Sequence, residues 1–221
     1  MKIFVFCIFL VLCVGMNIVY TIFHKETGYK GLLIKGSTLL SCLMFALVCA
    51  NLNSLTNSQP LLVVFGIACM LFSQAMSISE IDGEMPKMIV HGVLNGVAIA
   101  CFGLSCISLS NFSFLAILGG LAIGAGVGCA VCSVKKYKKW YQVLSVLFHW
   151  CGAGFLLGEG LYAIIASTHL LSSVLMLVGG AMIVFNQIIR DFIPQNEKWE
   201  YAFNAIYVFS VIVIAASIFF F

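Results

Sequence analysis

Long apolar runs separated by short polar links dominate the hydrophobic pattern of this chain. A membrane-crossing helix needs roughly 20 apolar residues, because hydrocarbon offers no water to hydrogen-bond the backbone. By that length the sequence predicts eight spans, at residues 3–23, 32–50, 61–79, 88–109, 112–134, 141–166, 169–189 and 201–221. The predicted fold class is all-α, a polytopic membrane protein whose single domain, residues 1–221, is a bundle of eight transmembrane helices.

The composition agrees with this pattern. Of the 221 residues, 62% are hydrophobic and only 9% are charged, and the mean hydropathy is +1.13. Water-soluble domains of this length do not have such a composition. The predicted links are short, so no soluble domain is available to carry chemistry. We therefore expect a multi-pass protein of the cell membrane whose function lies within the membrane or at its surface.

Basic residues are distributed very unevenly between the two sides of the predicted bundle. Lys2 alone lies on the side of the termini. The other side carries Lys25, Lys30, Lys35, Lys87, Lys135, Lys136, Lys138, Lys139, Arg190 and Lys198. By the positive-inside rule this side is cytoplasmic and both termini are outside. The run KKYKKW at residues 135–140 is then a topology signal rather than a nucleic-acid site, and no nucleic-acid partner is predicted.

Two spans end in the same unusual pattern. GIACMLFSQ at residues 66–74 and GGAMIVFNQ at residues 179–187 share the spacing G-x5-F-x-Q. Measured along the helices, Gln74 lies about 6 Å and Gln187 about 10 Å to the cytoplasmic side of the span midpoints. The two stretches lie half a chain apart in spans of the same direction, which suggests a parallel four-plus-four repeat.

Other polar residues fall in the same inner half of their spans. They are Asn17, Lys35, Ser37, Thr38, His91, Asn95, Ser145, His149, Asn204 and Tyr207. Polar groups in hydrocarbon are costly unless they face a partner or water inside the bundle. Two interpretations stay open: separate interhelical hydrogen bonds, or a shared polar pocket in the inner leaflet. We adopt the pocket as the working hypothesis.

Three ionisable positions within spans are functional candidates. Lys35 either extends to the interface or faces the pocket. His149 lies too deep to reach the interface. Glu159 is about 15 Å from His149 in height, too far to pair with it, and near the outer surface we expect it to be solvated or hydrogen-bonded.

The ten cysteines fall mostly within spans, where they act as small apolar residues. Cys129 and Cys132 form a single C-x-x-C pair without a second, and Ser145 with His149 offers only one piece of a zinc hydrolase pattern. No metal and no cofactor are predicted.

The chain resembles the lysoplasmalogenase (YhhN-like) family of eight-span membrane proteins. The likeness lies in Lys35-Gly36-Ser37-Thr38, in the two G-x5-F-x-Q stretches, in GGAMIVFNQIIRDF and in Tyr207 through Ser217. The resemblance implies hydrolysis of the vinyl ether bond of a lysoplasmalogen, which gives a fatty aldehyde and a glycerophospho-alcohol. It also implies that a lysophospholipid is the partner, drawn from the surrounding membrane lipids.

The chain departs from this family where acid chemistry is expected. Gln74 and Gln187 stand where the family has aspartates, and Gly36, Ala100 and Val211 replace an expected proline, histidine and glutamine. A glutamine cannot release a proton. If the protein is an enzyme, the resemblance leaves His149 or His91 as the proton source, with Lys35 holding the phosphate. Substrate-binding candidates are Lys35, Thr38, Gln74, Asn95, Ser145, Gln187 and Tyr207.

Three functions therefore stay open: an ether-bond hydrolase of the lysoplasmalogenase type, a non-catalytic lysolipid-binding or sensing protein, and a small transporter. The sequence does not distinguish between these three functions, and it does not indicate the oligomeric state. Prolines at positions 60, 86 and 194 are expected in links, so no span shows the broken helix typical of a transporter site.

Overall fold

The computed structural model describes residues 1–23, 28–53, 58–78, 84–167, 169–192 and 197–221. These residues form helices α1 (Lys2–Ile22), α2 (Gly28–Asn53), α3 (Ser58–Ile78), α4 (Glu84–Leu109), α5 (Phe114–Lys135), α6 (Trp140–Ala166), α7 (Leu170–Phe192) and α8 (Glu197–Ser217), with a 3₁₀ turn at Ile218–Phe220. The described residues contain no strand. The all-α prediction with eight helices is confirmed.

Length and hydropathy make most of these helices able to cross a membrane. Seven are long and apolar enough, and α3 contributes a shorter apolar stretch, Ser58–Gln74. Large apolar side chains cover the outside of the bundle, as shown by Leu115 and Ile165, which are 82% and 84% exposed. A water-soluble bundle would bury such side chains, so the structure supports an integral, multi-pass membrane protein.

Four helices extend beyond their predicted limits toward the same end of the bundle. α2 begins at Gly28 rather than residue 32, α4 at Glu84 rather than residue 88 and α8 at Glu197 rather than residue 201, and α7 continues to Phe192 rather than residue 189. Pro60 and Pro86 were expected in links, and this is wrong. Both lie in the first turn of a helix, α3 and α4, where proline's missing N–H has no helical partner to lose. Pro194 lies outside the described residues.

The bundle is organised around α6, which packs most extensively on α4 and α5 and also contacts α7. α8 packs on α7 and closes the bundle against α1 and α2. α5 lies at the rim, since its contacts in the described structure are with α6 and, to a small extent, α7. The cavity described below is therefore enclosed without α5.

Glycines bring α5 and α6 into backbone contact. A Cβ added at Gly124 would overlap the Trp150 carbonyl oxygen, and one at Gly154 would overlap the Gly120 carbonyl oxygen. Between α4 and α6, Gly92 faces Ser145 and Gly96 faces the Phe148 backbone. Close packing of small residues replaces the hydrophobic effect as the force between helices in lipid. These glycines therefore mark the places where the helices approach most closely.

The two ends of the bundle differ in charge and in packing. At the lysine-rich end lie the C-terminal ends of α1, α3, α5 and α7 and the N-terminal ends of the helices that follow them. Lys135, Lys136, Lys138 and Lys139 are exposed there, and α5 terminates at Lys136 in a left-handed conformation with φ 51°. The termini lie at the opposite end. Which end faces the cytoplasm stays a prediction, as does the four-plus-four repeat.

The half of the bundle nearer the termini is filled by an apolar layer. Phe45, Phe102, Leu156, Met176 and Ile214 belong to this layer, and all five are fully buried. They come from five different helices, α2, α4, α6, α7 and α8. The core is therefore continuous on this side, and open space is found toward the lysine-rich end.

Candidate functional site

A cavity of about 290 Å³ lies in the half of the bundle toward the lysine-rich end. Every helix except α5 contributes to its wall. The lining residues are Tyr20, Lys35, Thr38, Leu39, Gln74, His91, Asn95, His149, Ile183, Asn186, Gln187, Arg190, Phe203, Asn204, Tyr207 and Val208. Most of them are polar, so the polar residues predicted at one depth do enclose a common space.

Eight of the nine predicted site residues line this cavity. They are His149, His91, Lys35, Thr38, Gln74, Asn95, Gln187 and Tyr207. Ser145 is not among the described lining residues, because its side chain packs against Gly92 where α4 and α6 touch. The structure thus places these residues together, and the roles assigned to them stay predictions.

Two further members of the predicted polar layer lie elsewhere. Asn17 is buried and donates from Nδ2 to the Ala205 carbonyl oxygen at 3.2 Å, which ties α1 to α8. Ser37 is exposed on the outside of α2. For these two residues, depth in the membrane did not indicate which helix face they occupy.

The two G-x5-F-x-Q stretches have the same pattern of exposure and burial. Phe72 and Phe185 are 64% and 57% exposed on the outside of the bundle. The next residue, Ser73 or Asn186, is buried. Gln74 and Gln187 then line the cavity. The glutamines in these apolar runs therefore supply two amides to one polar space.

His91 is held by hydrogen bonds on both ring nitrogens. Its Nδ1 lies 2.7 Å from Ser73 Oγ, and its Nε2 lies 3.2 Å from Asn95 Nδ2. The Ser73 hydroxyl also donates to the His91 carbonyl oxygen at 3.3 Å. A serine beside a histidine suggests a nucleophile and its base. Ser73 is fully buried and is not one of the described lining residues, so it orients His91 instead.

His149 has the opposite environment. Its Nε2 atom is buried and has no hydrogen-bond partner among the described residues. The ring meets Trp150 edge-on, with centroids 6.2 Å apart and planes at 87°. A buried polar atom without a partner costs free energy, so a ligand or water that reached His149 would recover it. His149 therefore offers an unpartnered ring nitrogen, whereas both ring nitrogens of His91 are engaged.

Two cations face the cavity, Lys35 and Arg190. Lys35 is the eighth residue of α2, deeper than the sequence suggested, and it forms no hydrogen bond or ion pair with another described residue. Arg190 Nη2 donates to Asn204 Oδ1, 2.6 Å away. Within the described lining there is no aspartate or glutamate. The cavity is therefore suited to an anion.

Arg190 and Asn186 were not predicted as site residues. Arg190 was placed in a link, because the seventh span was expected to end one residue before it. Asn186 was treated only as the small residue before Gln187. Asn186 and Arg190 are four residues apart and so lie on one face of a helix. This four-residue spacing, visible in the sequence, could have indicated that Arg190 shares a helix face with Asn186.

Unpaired acceptors complete the lining. Asn95 Oδ1 and Asn186 Oδ1 are buried, and neither has a described hydrogen-bond partner. The Tyr207 hydroxyl is also buried and lies close to the Gln74 side chain. Amide oxygens accept and do not donate. A bound molecule should therefore bring hydroxyl or N–H groups as well as negative charge.

Asp191 lies behind the cavity wall. Its Oδ2 accepts from Trp150 Nε1 at 3.1 Å and from Gln187 Nε2 at 3.1 Å. Tyr137, in the link before α6, is close enough that the carboxylate adds to the effect of burial in raising the pKa of its phenol. Asp191 thereby fixes the Gln187 side chain and joins α6 to α7 without entering the described lining of the cavity.

Glu159 differs from expectation. It was predicted to be solvated or hydrogen-bonded near the outer surface, and this is wrong. Its side chain is fully buried, and neither carboxylate oxygen has a partner among the described residues. The apolar layer extends to this height of α6, because glycines let α5 and α7 approach closely on either side. Glu159 belongs to that layer and not to the cavity.

The cavity's described donors suit an anionic ligand better than a metal ion. No group of three histidine, cysteine, aspartate or glutamate side chains is placed to hold a metal within the part of the chain that the structure describes. Comparison of the chain with protein-family models, curated proteins and solved structures gives no match.

Proposed function

We propose that this integral membrane protein binds the phosphate-bearing headgroup of a lysophospholipid in the cavity. One observation carries the proposal: Lys35 and Arg190 face a polar space inside a membrane bundle, with no described carboxylate in its lining. A lysine binds phosphate as a point charge, and an arginine through a planar fork of donors. Two such residues from α2 and α7 would hold one phosphate between them.

The size and place of the cavity support a single-chain lipid. A volume of about 290 Å³ is at the lower limit for small-molecule sites and matches a headgroup rather than a whole phospholipid. The hydrocarbon chain would remain among the lipid-facing helices. Under the predicted topology the headgroup would bind from the cytoplasmic leaflet, because the cavity lies toward the lysine-rich end.

A second candidate function, vinyl ether hydrolysis, is favoured by the unpartnered Nε2 of His149. In this reaction a proton adds to the outer alkene carbon, and water adds to the resulting oxocarbenium carbon. The hemiacetal then separates into a fatty aldehyde and a glycerophospho-alcohol, and a proton returns to the base. Gln74 and Gln187 cannot supply that proton, so the reaction depends on a histidine. Binding alone needs no such group.

The two functions are separated by one experiment on the purified full chain in nanodiscs. Lysolipids with a vinyl ether or an ester chain of equal length are titrated, thermal shift reports binding, and mass spectrometry reports aldehyde. We expect Lys35→Met to weaken binding by about tenfold or more, the worth of one charged hydrogen bond. Lys30→Met, on the exposed part of the same helix, is the matched control.

The outcomes of this experiment distinguish the two functions and test the binding site. A shift without aldehyde supports a binding protein, and aldehyde that disappears in His149→Gln supports the hydrolase. Absence of any shift across the lysolipid series contradicts both. Equal weakening by Lys35→Met and Lys30→Met would show that the cavity is not the binding site.

A further inference from the structure

We infer that the cavity selects a net anionic headgroup that carries hydroxyl groups, as in lysophosphatidylglycerol, over the zwitterionic choline and ethanolamine headgroups. This inference rests on the proposed lipid-binding function and specifies the ligand class of the same site. It is carried by two properties of the lining, its charge balance and its unpaired acceptors.

The charge balance disfavours a ligand cation. Lys35 and Arg190 are the permanent charges of the described lining. The Asp191 carboxylate, which is outside the described lining, accepts hydrogen bonds from Trp150 and Gln187. A phosphodiester neutralises one of the two positive charges. A zwitterionic headgroup would add an ammonium beside them and restore the excess, which is costly where water is scarce.

The acceptors require N–H or O–H donors, and the two cations of the lining favour donors that carry no positive charge. Asn95 Oδ1 and Asn186 Oδ1 lie on α4 and α7, and both are buried without a described partner. A choline headgroup has no N–H or O–H to offer them. A glycerol headgroup has two hydroxyls, enough to satisfy both amide oxygens while the phosphate meets the cations. Satisfying a buried acceptor recovers the penalty of leaving it bare.

Aromatic side chains in the lining would favour the opposite preference, for a choline headgroup. Tyr20, Phe203 and Tyr207 also line the cavity, and aromatic faces attract quaternary ammonium groups. If these rings set the preference, the choline lipid would bind most tightly. The measured preference among headgroups therefore tests whether the cations and amide oxygens or the aromatic rings determine which headgroup binds.

The test compares three lysolipids with the same acyl chain and glycerol, ethanolamine or choline headgroups, using the purified full chain in neutral nanodiscs. We expect the dissociation constant for lysophosphatidylglycerol to be at least about tenfold lower than for the other two. Soluble glycerophosphoglycerol is a further arm. If it competes at low concentration, the headgroup alone is the ligand, and if it does not, the lipid chain contributes.

A charge-switch variant tests the physical reason. Asn186→Asp puts a carboxylate in the lining and should lower affinity for lysophosphatidylglycerol and raise it for lysophosphatidylethanolamine, by about tenfold in their ratio. Asn111→Asp, at an exposed position in the link before α5, should leave the ratio unchanged. If Asn186→Asp does not fold, the lipid series on the unaltered protein still decides.

The inference and the function fail in different ways. Equal affinity for the three lipids, or tightest binding of choline, overturns the headgroup inference and leaves lysolipid binding intact. No binding of any of them overturns the proposed function itself.

Discussion

At the residue scale, the polar side chains of this bundle divide into those with protein partners and those without. Ser73, His91, Trp150 and Asp191 are hydrogen-bonded within the fold. Asn186 and His149 each present an atom that no described residue satisfies. Membrane location and helix depth were readable from the sequence, because both follow from counting residues. Hydrogen-bond partners were not readable, because they depend on helix rotation.

Glu159 gives a prediction at this scale. A carboxyl group in an apolar layer with no described partner is a net cost to the fold. Replacing it with methionine, which has a similar length and no polar oxygens, should raise the free energy of unfolding by about 1–3 kcal/mol. Thermal unfolding in detergent measures the change. A loss of stability in Glu159→Met, or an unchanged midpoint, would show that the carboxyl group has a stabilising partner.

Asp191 gives a second prediction. Asp191→Ala leaves the Trp150 indole N–H and the Gln187 amide without their acceptor and should lower stability by about 1–3 kcal/mol. The comparison is a double-mutant cycle with Trp150→Phe, which removes the donor but keeps the ring. We expect a clearly non-additive result, because the two residues share one hydrogen bond. Additive losses would mean that this bond contributes nothing to the fold.

At the element scale, hydrophobic length predicts helices well and their ends less well. A helix is present at all eight predicted positions, but α2, α4, α7 and α8 each continue past their predicted limits at the lysine-rich end. These extra turns bring Lys35 deeper into its helix and Arg190 onto the cavity wall. A hydropathy pattern undercounts such turns because charged residues such as Lys30, Arg190 and Asp191 lower the mean hydropathy there.

The contact between α5 and α6 allows a prediction with a close control. Gly154→Ala places a methyl group against the Gly120 backbone, so α5 must move away from α6, at a cost of about 1–3 kcal/mol or more. Gly126→Ala lies on the open side of α5, where a Cβ meets nothing within 4 Å. It should be neutral or slightly stabilising, because alanine favours helix. Unfolding by a denaturing detergent ranks the two variants. Equal behaviour would contradict the close packing described here.

At the scale of the whole molecule, the half of the bundle toward the termini is filled by the apolar layer (the filled half), and the half toward the lysine-rich end contains the cavity (the hollow half). The sequence predicted the hollow half from residues that share a depth, and eight of the nine nominated site residues do line the cavity. The filled half was not predicted, because apolar residues are common to every span and do not reveal which of them meet. Glu159 was wrongly assigned for that reason.

The orientation of the molecule is a prediction at this scale. The lysine-rich end is expected in the cytoplasm and both termini outside. Alkaline phosphatase fused after Phe221 should be active in a bacterial host, because that enzyme matures only after export. Green fluorescent protein fused at the same place should be dark. The reverse pair of results would place the cavity in the other leaflet and would require the lipid source to be reassigned.

The apolar layer closed by Phe45, Phe102, Leu156, Met176 and Ile214 has a kinetic consequence. This layer closes the cavity on the side of the termini, so we expect a bound molecule to enter and leave the cavity from the lysine-rich end. A second ligand could then bind only after the first has dissociated, so the dissociation rate would limit the rate of exchange. With access from one side, we expect binding and release of a lipid within a single leaflet rather than its transport across the membrane.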